Sequence, residues 1–439
     1  MDFRFEEEHI ALIVSSKGSA MIAAGCGRNL ASPNARTSRK RTLPVMRHRI
    51  FTAFAALALA SVAGSAHAVN FSIHDYKAGH GPNSATIGDF NNDGTIDIAV
   101  ANACGDKLCD DNGTVKILLG NDDGTFTEGK KYQSALDGNS VALATADFNN
   151  DGNLDVAVVN TGINVNGDVS VILGNGKGGF GPPAAFSPGG VPLFVATGDF
   201  NHDAKMDMAV TLNNPGEVSV LLGNGNGTFQ PEIAYPVESG PQGLAVADVN
   251  GDGNPDLLVV NECGHVDGCR QGTVSVLLGN RDGTFQPQAS YFVGIFPLSV
   301  AVADMNRDAK PDLVLDLPCG TDASCVTNGG VAVLLGNGDG TFQNVQSFMG
   351  SSSDSVRVGA GDFNGDGNID AATLDYRNGT IQIYKGKRDG TLRAGPIFKL
   401  GENPNSISVA DFNGDCKPDI AVLDQAPRTV SVLLNTSNK

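Results

Sequence analysis

Asp362-Phe363-Asn364-Gly365-Asp366-Gly367-Asn368-Ile369-Asp370 decides how this chain of 439 residues is read. Oxygen-bearing side chains stand at positions 1, 3, 5 and 9 of the nonamer (Asp362, Asn364, Asp366, Asp370), with Gly367 at position 6. That alternation suits a tight loop around a hard cation. Every second side chain points inward, the carbonyl of Asn368 at position 7 adds an oxygen, and glycine takes a left-handed turn that a Cβ resists. Three carboxylates this close repel one another unless a positive charge lies between them. Calcium, with roughly 6–8 oxygen ligands in flexible geometry, is the expected occupant.

The nonamer recurs, opening at Asp89, Asp147, Asp199, Asp248, Asp304, Asp362 and Asp411. Self-similarity at a period of about 50 residues, with strand-like sequence between the copies, means a solenoid, a propeller or an array. One period shows the plan. Leu298–Asp304 is a strand ending in the loop, Asp312–Leu317 a second strand and Gly330–Leu335 a third. A glycine-rich turn, Gly336–Phe342, leads to a fourth around Gln343–Phe348. Short strands broken by Asp-Gly and Asn-Gly turns make one four-stranded antiparallel sheet per repeat. The turn itself recurs as Leu119–Phe126, Leu173–Phe180, Leu222–Phe229, Leu278–Phe285 and Leu335–Phe342. It precedes no helix, so it reads as a hairpin turn and not as a phosphate cradle.

The two ends predict closure. The last repeat stops after its third strand, at Leu434-Asn435, while Asn70–Lys77 resembles the fourth-strand segments that hold Tyr132, Tyr235 and Tyr291. An N-terminal strand that completes the last sheet pairs both edges and closes a ring. The expected fold is all-β: a seven-bladed β-propeller of four-stranded antiparallel blades over residues 69–439. Asp-Phe-Asn-x-Asp-Gly-x-x-Asp followed by Leu-Leu-Gly-Asn-Gly-x-Gly-Thr-Phe resembles the FG-GAP-like (VCBS-type) repeat, similar to the propeller of integrin α-subunits. The resemblance spans residues 70–439 and implies this fold with calcium in its hairpins. It implies little about function, because the family includes adhesins, lectin-like modules and parts of enzymes.

Four copies keep the full pattern, and their expected metal ligands are Asp89, Asn91, Asp93, Thr95 and Asp97; Asp147, Asn149, Asp151, Asn153 and Asp155; Asp248, Asn250, Asp252, Asn254 and Asp256; and Asp362, Asn364, Asp366, Asn368 and Asp370. Three copies replace the glycine with Ala204, Ala309 or Cys416, each followed by lysine (Lys205, Lys310, Lys417). A non-glycine residue in a left-handed turn costs about 1–2 kcal/mol. The lysine ammonium can point away from the loop or partly replace the charge of an ion. The carboxylates and amides survive in these copies: Asp199, Asn201, Asp203 and Asp207; Asp304, Asn306, Asp308 and Asp312; Asp411, Asn413, Asp415 and Asp419. The expected cofactor is therefore structural Ca2+, about four to seven ions. A turn without an ion needs one carboxylate, and these loops carry three.

The first 68 residues differ from the rest. Met46–Ala68 has a basic start, a short apolar run and an Ala-x-Ala end, which is a secretory signal pattern too short to span a membrane. Residues 1–45 then form an upstream extension with no fold of their own, and the chain is expected to be exported: secreted, periplasmic or at the cell surface. Cysteines fall in local pairs, Cys104/Cys109, Cys263/Cys269 and Cys319/Cys325, which in an exported chain read as disulfide-clipped loops. Cys416 is left over. The net charge of −18 owes much to the nonamers, three aspartates in each, so it points to metal and not to a basic partner. No basic patch favours nucleic acid, and no apolar segment near the C-terminus favours a membrane span.

The phenylalanines at nonamer position 2 (Phe90, Phe148, Phe200, Phe363, Phe412) and those closing the glycine turns read as core between blades. Phe194, Phe296 and Arg357 stand near the starts of inner strands, on the face of the clipped loops, and are candidates for a ligand face. The leading expectation is a non-catalytic binding or adhesion scaffold for a protein or glycan ligand. The alternative is a polysaccharide lyase or hydrolase built on the propeller. The absence of Trp and the presence of only six Tyr leave few platforms for sugar stacking. His74, His80, His202 and His265 are scattered, with no nucleophile signature beside them.

Overall fold

A computed structural model describes residues 12–14, 20–22, 68–105, 112–135, 138–162, 167–263, 271–319, 329–351 and 354–437. Each period folds into one antiparallel sheet. In blade one the strands are His80–Gly88, Asp97–Cys104, Thr114–Gly120 and Phe126–Gln133, paired in that order. The first strands of the next six blades are Asn139–Ala146, Pro192–Gly198, Pro241–Ala247, Val300–Ala303, Ser355–Gly361 and Pro404–Ala410. Second strands such as Asp256–Asn261 are buried throughout, because both faces of a blade lie against neighbours. Outer strands such as Phe126–Gln133 are largely exposed.

The core is divided among the seams between blades. Seven apolar clusters form, and each joins residues of two consecutive sheets. Aromatic rings mark several seams. Phe90 of blade one and Tyr132 of its outer strand both meet Phe180, which closes the glycine turn of blade two, at 5.6 and 5.4 Å in edge-to-face geometry. The turn glycine must be left-handed and bare. Gly178 has φ +69°, its N–H donates to the Phe90 carbonyl at 2.9 Å, and a Cβ there would press on Leu119 of blade one.

The ring closes as the two ends predict. Phe71–Lys77 pairs with Thr429–Asn435, from Phe71 opposite Asn435 to Lys77 opposite Thr429, and makes the outer strand of blade seven. Tyr76 of that strand meets Phe126 at 5.4 Å, the same contact that Tyr132 makes one seam later.

Outside the blades, Leu12–Val14 pairs antiparallel with Ala20–Ile22. The signal segment lies outside the described residues apart from Ala68, as do Cys109, Cys269, Cys325 and His265. Among the described residues no helix is long and apolar enough to cross a membrane.

Candidate metal centres

Every nonamer is the hairpin between the first and second strands of a blade, so all seven lie at one end of the ring. The backbone amides of positions 5 to 7 are wired alike in all seven. The N–H of position 5 donates to both the position 1 carboxylate and the position 3 amide oxygen, as Asp93 does to Asp89 and Asn91 at 3.1 and 3.0 Å. The N–H of position 6 donates to the other oxygen of position 1, and that of position 7 to the position 5 carboxylate. The three loops without glycine keep these bonds, as at Ala204, Ala309 and Cys416.

Two residues of each loop are left-handed. Position 6 was legible from its glycine, and Ala204, Ala309 and Cys416 adopt φ of 61°, 62° and 64° in its place. Position 4 was missed: Asn92, Asn150, His202 and Arg307 have φ of 56–62°, with glycine in the remaining loops. Asparagine at two of these positions was the available signal, since it tolerates this region better than other side chains. The position 4 side chain reaches across the seam. Asn92 donates to Asn153, Asn150 to the Ala204 carbonyl, and His202 bonds Asn254 at 3.1 Å.

The lysines of the three departing loops fold back and do not point away. Lys205, Lys310 and Lys417 lie 2.9, 3.9 and 3.2 Å from the position 5 carboxylate of their own loop. Each of these loops therefore carries an internal counter-charge.

Position 9 does something the spacing did not announce. Asp97, Asp155, Asp207, Asp256, Asp312 and Asp419 are wholly buried. Each takes the position 2 N–H on one oxygen and an N–H from the end of the third strand on the other; for Asp97 these are Phe90 at 2.9 Å and Gly120 at 2.8 Å. This carboxylate pins the loop to its own blade. Burial, reinforced by the aspartates at positions 1 and 5, pushes Asp97, Asp155, Asp207, Asp256 and Asp312 up to about 6, and Asp419 to about 7. Among the described residues no three acidic, histidine or cysteine side chains converge on one point.

Blade six is wired differently. Phe363 N–H turns to the Gly361 carbonyl, so Asp370 keeps only Gly386 at 2.7 Å and a long bond of 3.3 Å from Asn364, both on Oδ1. Its Oδ2 is buried without a partner, and burial pushes the group up to about 8. The donors at positions 1, 3, 5, 7 and 9 are oxygens alone, which suits Ca2+ in character, and the orphaned Asp370 oxygen is a buried polar atom that a cation would satisfy.

Of the ligand-face candidates, Phe194 and Arg357 lie in first strands of their blades. Phe194 and Arg357 are 4% and 9% exposed. They come from blades three and six, yet the Arg357 guanidinium carbon lies 5.8 Å from the centre of the Phe194 ring. An arginine long enough to cross the narrow axis finds an aromatic face there. Burial lowers the pKa of Arg357, while burial pushes Asp316, whose carboxylate faces its charge, up to about 7. Phe296, in left-handed geometry at φ 55°, is half-buried.

Among solved structures the chain is similar to the periplasmic gluconolactonase PpgL of Pseudomonas aeruginosa, at 14% identity and TM-score 0.54 over 74% of this chain and 86% of that one. It is also similar to the hydrazine synthase of Kuenenia stuttgartiensis, at 12% identity and TM-score 0.55 over 82% of this chain and 96% of that one. At these identities the likeness is one of fold. No curated protein matches the sequence. The model of the FG-GAP-like repeat matches residues 89–158, 199–259, 321–373 and 362–422. With its repeats folded as seven blades in a closed ring, the chain belongs to the FG-GAP-like repeat family.

Proposed function

We propose that the chain is an exported, calcium-stabilised β-propeller that acts as a non-catalytic binding scaffold for a protein or glycan ligand. The observation that carries the calcium reading is the sevenfold repetition of one oxygen-only hairpin with an exposed carboxylate at position 5, a half-buried one at position 1 and a third buried beneath them. Bound Ca2+ would supply positive charge beside the carboxylates at positions 1 and 5 of each hairpin and draw the loop toward its blade. Asp362, Asn364, Asp366, Asp370 and the Asn368 carbonyl are the donors in blade six. The corresponding residues serve in the others, with the lysines competing in three. Cys104, Cys263 and Cys319 stand at the end of the ring opposite the hairpins, and disulfides from them to Cys109, Cys269 and Cys325, which lie outside the described residues, are part of this proposal.

The non-catalytic reading is supported by what the described histidines do. His74 is exposed on an outer strand, His80 meets Arg428, and His202 spans two hairpins. A lyase or hydrolase would need an acid and a base at one pocket. Thermal melts with calcium and with EGTA test the metal, and a glycan array alongside a pull-down tests the scaffold. Release of unsaturated or shortened sugars by the purified chain would overturn the non-catalytic reading.

A further inference from the structure

We infer that Asp424 carries a proton and, through Ser431, fastens the closing strand to blade seven, so that the seam where the ring is joined loosens as pH rises. The inference is independent of the calcium reading and of the scaffold's ligand. Ser431 Oγ lies 2.7 Å from Oδ1 of Asp75, on the closing strand Phe71–Lys77, and 2.6 Å from Oδ2 of Asp424, on the second strand Asp419–Asp424. A hydroxyl has one proton and donates to only one of these oxygens, so the other must bring a proton of its own. Two other blades show which. In the same register of blades two and four, Asn160 and Asn261 donate an amide N–H to Ser170 and Ser275 at 3.0 and 2.8 Å. Those serines in turn donate to Asp168 and Gln288. Asp424 takes the asparagine's place, and a carboxyl can act as a donor only when protonated. It is wholly buried, whereas Asp75 is exposed. Burial pushes Asp424 up to about 6, and the charge of Asp75 adds to the rise. Strands Pro404–Ala410 and Thr429–Asn435 on either side carry no ionisable group. Blade six packs on this face, and its ionisable groups there have partners of their own: Lys399 and Asp375 with Asn378, Arg377 with Asp354, and Tyr376 with Gln425. Glu402 and Lys77 are exposed, and Arg428 meets His80.

Amide hydrogen exchange on the intact chain, corrected for the intrinsic rate at each pH, tests the latch. A folded pKa above the unfolded one gives stability that is lost as pH rises through the folded value. Between pH 5 and pH 8 a group near 6 gives up its proton, while its unfolded counterpart, at about 4, is already ionised. Protection of residues 71–77 should therefore fall about tenfold more than that of the outer strand of blade one, Phe126–Gln133. In Asp424→Asn an amide donor stands where blades two and four have one, and residues 71–77 should respond to pH no more than the control strand. Asp75→Asn, on the exposed strand, removes the neighbouring charge and should bring the excess below about threefold. It keeps the test decisive should circular dichroism show that Asp424→Asn does not fold. An excess that survives these substitutions, or a wild-type response equal to that of the control strand, would overturn the latch and leave the calcium and scaffold readings untouched.

Discussion

The hairpins of blades one and six carry the same donor pattern and are wired differently. In blade one, Asn91 turns outward to Asp93, and Asp97 takes a backbone amide on each oxygen. In blade six, Asn364 turns inward to Asp370 and is 1% exposed, while Asp370 is left with an unpaired oxygen. The neighbours differ as well. Asn92 crosses from loop one to loop two, whereas loop six bears glycine at that position and is overlain by Arg307, whose guanidinium packs on Gly367. A nonamer therefore determines its turns and its first three donors, and the seam determines what becomes of its last carboxylate.

Chelation should have the largest effect, because it acts on every loop. A site held at 100-fold its dissociation constant contributes about 2.7 kcal/mol, so EGTA should lower the melting temperature by roughly 10 °C or more. An unchanged melt would remove the common ground on which the two loops are compared.

Next in size is the split at position 9. In chelated protein Asp155→Asn places an NH2 against an amide that now has no acceptor, and should cost about 2–4 kcal/mol. Asp370→Asn meets only the orphaned side and should cost less than about 1 kcal/mol in urea melts under the same conditions. Equal losses would show that the two carboxylates do the same work.

The pH response separates them further. A buried acid whose pKa is raised binds more protons folded than unfolded, so its stability contribution falls as pH rises through the folded pKa. Chelated protein should therefore gain stability from pH 8 down to pH 5. Asp370→Asn should remove the part near pH 8 and leave the part near pH 6, where Asp97 and its equivalents titrate. With calcium present the sign should reverse, since the metal displaces those protons. A wild-type profile unaltered by Asp370→Asn would contradict the assignment.

The smallest effect concerns the loops without glycine. Ala309→Gly relieves a left-handed alanine but loosens the unfolded chain, for a net gain of about 0.5 kcal/mol by urea titration. A loss would mean that the alanine packs to advantage.

Much of this was legible in advance. The glycine at position 6 announced a left-handed residue, and the Tyr76 segment announced the missing strand. Position 4 was hidden by its variety, because His202 and Arg307 share a backbone conformation that neither favours. The lysines were ambiguous, since a long flexible side chain can return to its own loop or leave it. The contact of Phe194 with Arg357 was not legible, because it joins blades that are distant in sequence and that only the axis of the ring brings within reach.

By itself the sequence determined the period, the number of sheets, the closing strand and the oxygen character of the hairpins. These follow from turn chemistry and side-chain alternation, which act within a few residues. Only the tertiary structure decided which carboxylate oxygen is left over in blade six, that the departing lysines serve as internal counter-charges, and that an arginine of blade six rests on a phenylalanine of blade three. Those outcomes depend on what a neighbouring or facing blade presents at one point in space, and no local spacing records that.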